Sequence, residues 1–501
     1  MSIAVQVRWL AGWRAMPWRA AILVAWSVFA AACVSGSDPS NGAVRMLHAV
    51  ADGPRMNLLI DEELRLAGIE FSGGSAFVTS SAGDRRVRIE EVLPASGAAT
   101  TDTIFDQTLS LAVNDELTLI VAGMAASGSE EVIEVRNRTR GVPFGKARVQ
   151  VVHAAAGGPA VDVYITALDT VLSAVAPVAP ALGYKAATEQ LEMSGGGARV
   201  ALTAVNDPTT VLYDSGPIFL NLESSLLLAL VPDTAVAGST SPFSLVVMSG
   251  TASVAVPDRN TGSQVRVVNA APVAYGLDVI VNQTSVPGGV RQECDPGTTE
   301  SGTVLEFCAT SFTSIGSFAV IAAGSYNVNI QKTGADAVAA QTLGGSFRAG
   351  VPESLVLTGI TDEAATQTGQ GMLTLGGTRR NAVAAQLRVV SASLAADAAI
   401  AGDPATDRLE LYITAPGADL AAENPDFVNF QIGGDTNYLS LAAGGYQLAL
   451  ARRDTAVSGA VPEVLYTREL TLTGGGLYTL VIADSLGGVL PLQALSLEDS
   501  P

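Results

Sequence analysis

The residues whose types could support chemistry are few, and they recur. His48 and His153 are the only two histidines of the chain, and each sits in the same kind of segment: VRMLHAVADGPRMNLLID from Val44 and VQVVHAAAGGPAVDVYIT from Val149. The segment returns as VRVVNAAPVAYGLDVIVN from Val265 and, stretched, as LRVVSASLAADAAIAGDPATDRLELYIT from Leu387, so Asn269 and Ser391 stand where the histidines stood. Nine residues further on lies Asn57, Asp162 or Asp278; in the fourth copy ten inserted residues put the equivalent Glu410 nineteen residues on. One imidazole and one carboxylate per copy invite a metal or acid–base reading. His, Asn and Ser share the ability to hydrogen-bond a turn backbone, which favours a structural role at the strand end. The acids, flanked by Val or Leu in a strand, are expected on the solvent face, with pairing to Arg or backbone N–H groups, or a binding role, as the other readings.

Other catalytic signatures are missing. The chain has no HExxH, CxxC, P-loop, GxSxG or strand-borne GxGxxG motif. A Ser-His-Asp triad would need one of the two turn histidines. Paired carboxylates for glycoside hydrolysis need only proximity in space, and 48 acids make chance pairs uninformative. A hydrolase of that kind predicts a deep acidic cleft between two units, whereas a binding or spacing module predicts shallow surfaces. The expectation is a non-enzyme without cofactor or metal. The Asp403–Asp407 stretch DPATD lacks the spacing and glycine of a calcium loop and reads as solvated.

The elements that position these residues follow from the repeat. Successive copies are 105, 116 and 122 residues apart, which is the size of a domain and too long for a solenoid. Each opens with a β-branched strand, then a Gly/Pro/Ala turn and a second strand. A Gly-centred hairpin follows, as in QLEMSGGGARVAL, FAVIAAGSYNVNI and NYLSLAAGGYQLAL. Tyr326 and Tyr446 either pin that hairpin through their hydroxyls or pack in the core. Near each end lies a strongly apolar strand: Leu117–Val121, Leu226–Val231, Leu355–Ile360 and Leu477–Ile482. About seven strands per copy, with turn signals every 8–12 residues, predict an immunoglobulin-like sandwich. No long amphipathic helix is expected, and the insertion in the fourth copy reads as a surface loop.

The fold class is thus all-β: four tandem immunoglobulin-like antiparallel β-sandwiches behind a signal peptide. The divisions are 1–32 (signal), 33–42 (lipidated linker), 43–140, 146–255, 262–380 and 385–501, with short linkers and a rod-like succession of units.

The N-terminus addresses the chain for export: Arg8, Arg14 and Arg19 precede the uncharged apolar stretch Ala20–Ala32. That stretch runs into Cys33 and the polar VSGSDPSNG, which resembles a bacterial lipoprotein signal with Cys33 as the lipidated, palmitate-bearing residue; Ala30 replaces the larger aliphatic residue usual in that pattern. The other reading is an ordinary cleaved signal. Val34 after the cysteine implies sorting to the outer membrane. Cys294 and Cys308, fourteen apart, read as one local disulfide in an oxidising compartment. Removing the signal takes the formal charge from −20 to −23, which disfavours nucleic acid and anionic membrane surfaces as partners of the chain as a whole.

The motif of His153-Ala154, Pro159, Val161-Asp162-Val163-Tyr164, with Ala-Gly-Ser-Tyr or Ala-Gly-Gly-Tyr later, resembles the bacterial family called domain of unknown function 4397. Asn57, Asn269, Ser391 and the fourth-copy insertion depart from it. The resemblance implies secreted or surface-anchored tandem sandwiches and supplies no catalytic residues. The expected function is a non-catalytic envelope lipoprotein for binding, adhesion or spacing. Its partners would be the membrane through its lipid and an envelope protein or polysaccharide; the alternative is a secreted polysaccharide hydrolase.

Overall fold

A computed structural model describes residues 40–94, 100–234, 239–283, 304–334, 341–359, 371–400, 406–457 and 459–498. Cys33, Cys294 and Asp403 lie outside these, as does Ile360. Among the described residues the regular secondary structure is almost entirely strand, and the four-fold tandem sandwich expectation holds.

The first unit shows the plan. Its strands are β1 (Asn41–His48), β2 (Met56–Ile60), β3 (Glu63–Ile69), β4 (Val78–Ser81), β5 (Gly83–Leu93), β6 (Thr100–Leu111), β7 (Asp115–Ala122) and β8 (Glu131–Arg138). They form two sheets, in the orders β4-β1-β7-β8 and β3-β2-β5-β6, and the other three units repeat both orders, with two extra short strands in the second. Eight strands build this frame, and one pair is parallel: β1 beside β7. The same parallel pairing joins Lys146–His153 to Ser225–Pro232, Ser263–Asn269 to Pro352–Leu357 and Ala385–Ala392 to Leu477–Ser485. The strand order therefore differs from the A-B-E-D and C-F-G sheets of an immunoglobulin domain, although both are two-layer sandwiches.

Each unit has its own apolar core. In unit two, Val149, Val151, Leu226, Leu228 and Leu230 point inward with Phe243 and Tyr213. The alternate residues of the same strands do not meet water. Val152, Ala154, Leu227, Ala229 and Val231 pack against Leu47, Ala49, Ile120, Ala122, Ile133 and Val135 of unit one. Units three and four meet in the same way, through Val268, Ala270 and Val356 against Val390, Ala392, Val481 and Ala483. The first and seventh strands are thus central in their sheets and covered on both faces, and the sequence supplies near-continuous apolar runs for them.

The rod-like succession expected from the short linkers is corrected accordingly. The four sandwiches form two face-to-face pairs, 1–2 and 3–4. The pairs also touch: Ala382 N–H donates to Asp52 O (2.8 Å), and the Arg379 guanidinium to Ala51 O (3.0 Å), bringing the linker between units three and four onto the first turn of unit one.

The fourth-unit insertion is also not a plain surface loop. It carries a helix, Leu394–Ile400, whose Ala395, Ala396 and Ile400 are buried in the unit's core. Ser393 caps it by accepting the Ala396 N–H (2.9 Å), and Asp484 accepts the N–H groups of Leu394 and Ala395. Leu, Ala and Ile with an N-cap serine make a short helix affordable once its apolar face is covered.

Candidate functional site

The repeat-related polar residues are placed by the ends of β1 and its equivalents. His48 and His153 are fully buried. The Nε2 of His48 bonds Pro54 O at 2.8 Å and its Nδ1 accepts the Val50 N–H at 3.2 Å; the Nε2 of His153 bonds Pro159 O at 3.0 Å. Asn269 keeps the second of these bonds, accepting the Ala271 N–H (3.0 Å), but its amide donates to Thr310 O (2.8 Å) on the strand Val304–Thr310 rather than to the turn carbonyl. Ser391 is buried too, with its hydroxyl unpaired, as is the Nδ1 of His153. Burial, and for His48 the nearby Arg379 charge, hold both imidazoles neutral; that of His48 is pushed down to about 3.

The second set contradicts the solvent-face expectation. Asp162, Asp278 and Glu410 are all buried. The physical reason is a β-bulge in the neighbouring strand, where one residue turns left-handed and leaves its N–H without a ladder partner. Asn57 accepts the N–H of Gly68 (φ 63°), Asp162 that of Ala181 (φ 48°) and Asp278 that of Ala309 (φ 48°), at 2.7–2.8 Å. Asp162 also takes the Asn206 N–H (2.8 Å) and Asp278 the Thr333 hydroxyl (2.8 Å). In unit four Asn429 (φ 58°) holds the left-handed position, and Glu410 instead binds Arg453 (2.7 Å) and the Tyr412 hydroxyl. These four residues are spread one per unit and do not converge. Asp407 is buried against Arg452 (2.7 Å), and no group of three His, Cys, Asp or Glu among the described residues is arranged to hold a metal. Tyr326 and Tyr446 each donate to a carbonyl four residues back, Ala322 and Ala442. Cys308 lies on the strand Val304–Thr310.

Sequence reasoning missed a further repeat-related pair. Arg45 stacks on Phe77 (4.4 Å to the ring centre), Arg266 on Phe318 (4.4 Å) and Arg388 on Tyr438 (4.1 Å). Unit two has Gln150 and Gln190 at these two places. These side chains line the shared faces: Arg45 donates to Thr118 (2.9 Å) and to Ser249 O of unit two, and Asn137 of unit one donates to Gln150 (2.7 Å). The signal was legible in VRMLH, VQVVH, VRVVN and LRVVS, where arginine and aromatic residue are lost together.

What the pairing does bring together is a cleft of about 800 Å³ between unit one, unit four and the linker before unit four. Arg55, Glu70, Arg379, Asp426, Phe427 and Tyr438 line it. Glu70 lies between Arg55 (3.7 Å) and Arg379 (3.8 Å). Asp426 accepts the Ile413 N–H (2.6 Å), and burial raises its carboxyl above the usual range. The cleft was not expected of a binding module, and with two arginines beside two acids it is not the acidic cleft expected of a hydrolase.

Residues 42–164 match the family model described as Domain of unknown function (DUF4397). The match covers unit one and the first two strands of unit two, ending at Tyr164, so the resemblance carried by His153 to Tyr164 holds there. No curated protein matches the chain. Among solved structures, the Bacillus anthracis TIE protein is 10% identical over 94% of this chain and 80% of its own, with a TM-score of 0.15. The major pilin subunit of Bacillus cereus is 9% identical over 68% and 99%, TM-score 0.13. A cell adhesion protein of Bacteroides fragilis, so described provisionally, is 12% identical over 47% and 97%, TM-score 0.11. Likenesses this weak carry no argument. No helix among the described residues is long and apolar enough to cross a membrane.

Proposed function

We propose that this chain is a non-catalytic binding module of the cell envelope, held at the outer membrane by a lipidated Cys33 and braced by a Cys294–Cys308 disulfide. The observation that carries the binding reading is the cleft between the first and last units. Its volume falls within the ordinary range of ligand sites. Phe427 and Tyr438 line it beside Arg55, Arg379 and two carboxylates, a lining suited to a hydroxyl-rich polysaccharide segment. The repeat-related buried polar residues support the same reading, since most are already committed to the chain's own backbone and ion pairs.

The test is binding of residues 34–501 to envelope polysaccharides on an array, with Arg55→Glu as the probe variant. Arg55 is half exposed and pairs only loosely, so its loss leaves the fold intact. Retention of one polysaccharide class that the variant loses supports the proposal; equal retention by both proteins removes the cleft from it. The hydrolase alternative draws on the raised Asp426 carboxyl facing the same cleft as Glu70. Release of reducing sugar, abolished in Asp426→Asn, would establish it. Mass measurement of the mature N-terminus and thiol labelling decide lipidation and the disulfide.

A further inference from the structure

We infer that one end of the 1–2 pair is a bilayer-contacting face, seated on the anionic leaflet that holds the anchor. The inference rests on the proposed attachment at Cys33 for its starting point, and on described residues for the rest.

A series of backbone hydrogen bonds defines that end. Asn114 N–H donates to Asn41 O at the start of β1 (2.9 Å), and Thr139 N–H donates to Asn114 O (2.9 Å), placing the linker between units one and two at the same end. Gly195 N–H donates to Gly145 O (3.1 Å) and Glu223 N–H to Lys146 O (2.6 Å), which adds the hairpin of unit two and the turn before Ser225. Apolar side chains protrude here. Phe144 is 92% exposed, Phe219 63%, Leu222 53% and Val113 41%. Phe144 and Phe219 are the two exposed phenylalanines among the described residues, and both lie at this end.

Charge points the same way. The stretch RNRTRGVPFGK, Arg136 to Lys146, holds four cations and no acid in a chain of net charge −20; Arg136 and Arg138 pair with Glu134 (2.8 Å) and Asp115 (3.7 Å), and Arg140 and Lys146 have no ion pair among the described residues. Aromatic and aliphatic residues beside basic ones suit the boundary between headgroups and acyl chains. Distance agrees as well, since the seven residue steps from Cys33 to Ser40 reach at most about 25 Å. A lipid on Cys33 therefore keeps this end within a short reach of the bilayer, and a second contact fixes which way the molecule stands.

The chain offers a clean probe. All four tryptophans lie within residues 1–32, so Phe144→Trp gives the mature protein a single indole. Residues 34–501 with an N-terminal oligohistidine tag are tethered to vesicles of phosphatidylethanolamine, phosphatidylglycerol and nickel-chelating lipid. The tether is imposed, so the outcome does not depend on whether Cys33 is acylated, which the mass measurement decides separately. Brominated acyl chains should cut the Phe144→Trp emission by about twofold. Met124→Trp, an exposed position beyond the opposite end of β7, should be unchanged. Adding Phe219→Ser and Leu222→Ser should weaken the Phe144→Trp quenching. Absence of quenching at Phe144→Trp, or equal quenching at both positions, overturns the inference.

Discussion

Cutting unit one away from unit two should leave a sandwich with a complete core and an uncovered second face. The face holds Leu47, Ile120, Ile133 and Val135, all buried in the intact chain. At about 1.5–3 kcal/mol per large aliphatic side chain, their exposure forfeits roughly 6–12 kcal/mol. That is comparable with the whole stability of a typical domain, about 5–15 kcal/mol. Residues 40–140 should accordingly self-associate through this face or melt far below the parent. Residues 40–258, which keep the pair, should be monomeric and unfold in one cooperative transition. Light scattering after size exclusion gives the association state, and calorimetry compares the measured and van't Hoff enthalpies. A monomeric unit one with the melting temperature of the pair would refute the reasoning, as would two separate transitions in residues 40–258.

Three further outcomes are expected. Asp162→Ala leaves the part-buried N–H groups of Ala181 and Asn206 without their acceptor and should cost about 1–3 kcal/mol in denaturant unfolding. Glu91 is buried with its carboxyl raised to about 7 by desolvation and by Glu130, Asp102 and Asp52; a raised carboxyl destabilises when ionised, so unit one should lose stability as pH rises from about 4.5 to 7. Glu91→Gln should remove that loss, seen as a flat midpoint across the window in urea titrations. The depressed imidazole of His48 acts oppositely: its stability is present above the unfolded value near 6.5 and is lost as pH falls towards 3, so its NMR signal should not titrate above pH 4.

The tandem sandwiches could be read from the repeat, because four copies of one strand pattern leave little choice of class. The pairing of units was written there too, in LLLALV at Leu226–Val231 and VQVVHAAA, where both alternating sets are apolar. A strand with one wet face does not look like that. The buried acids were misjudged because a bulge is a property of the neighbouring strand, and Ala181 or Ala309 gives no local sign of a left-handed backbone. The cleft was out of reach: Arg55 and Tyr438 are nearly four hundred residues apart, and only the docking of the two pairs brings them to one wall.

Small-angle X-ray scattering of residues 34–501 decides whether the two face-to-face pairs close on one another. A chain of this length packed as one body gives a radius of gyration of about 23 Å. The measured radius should fall near that value. A radius about twice as large, with the scattering of a rod, would contradict it.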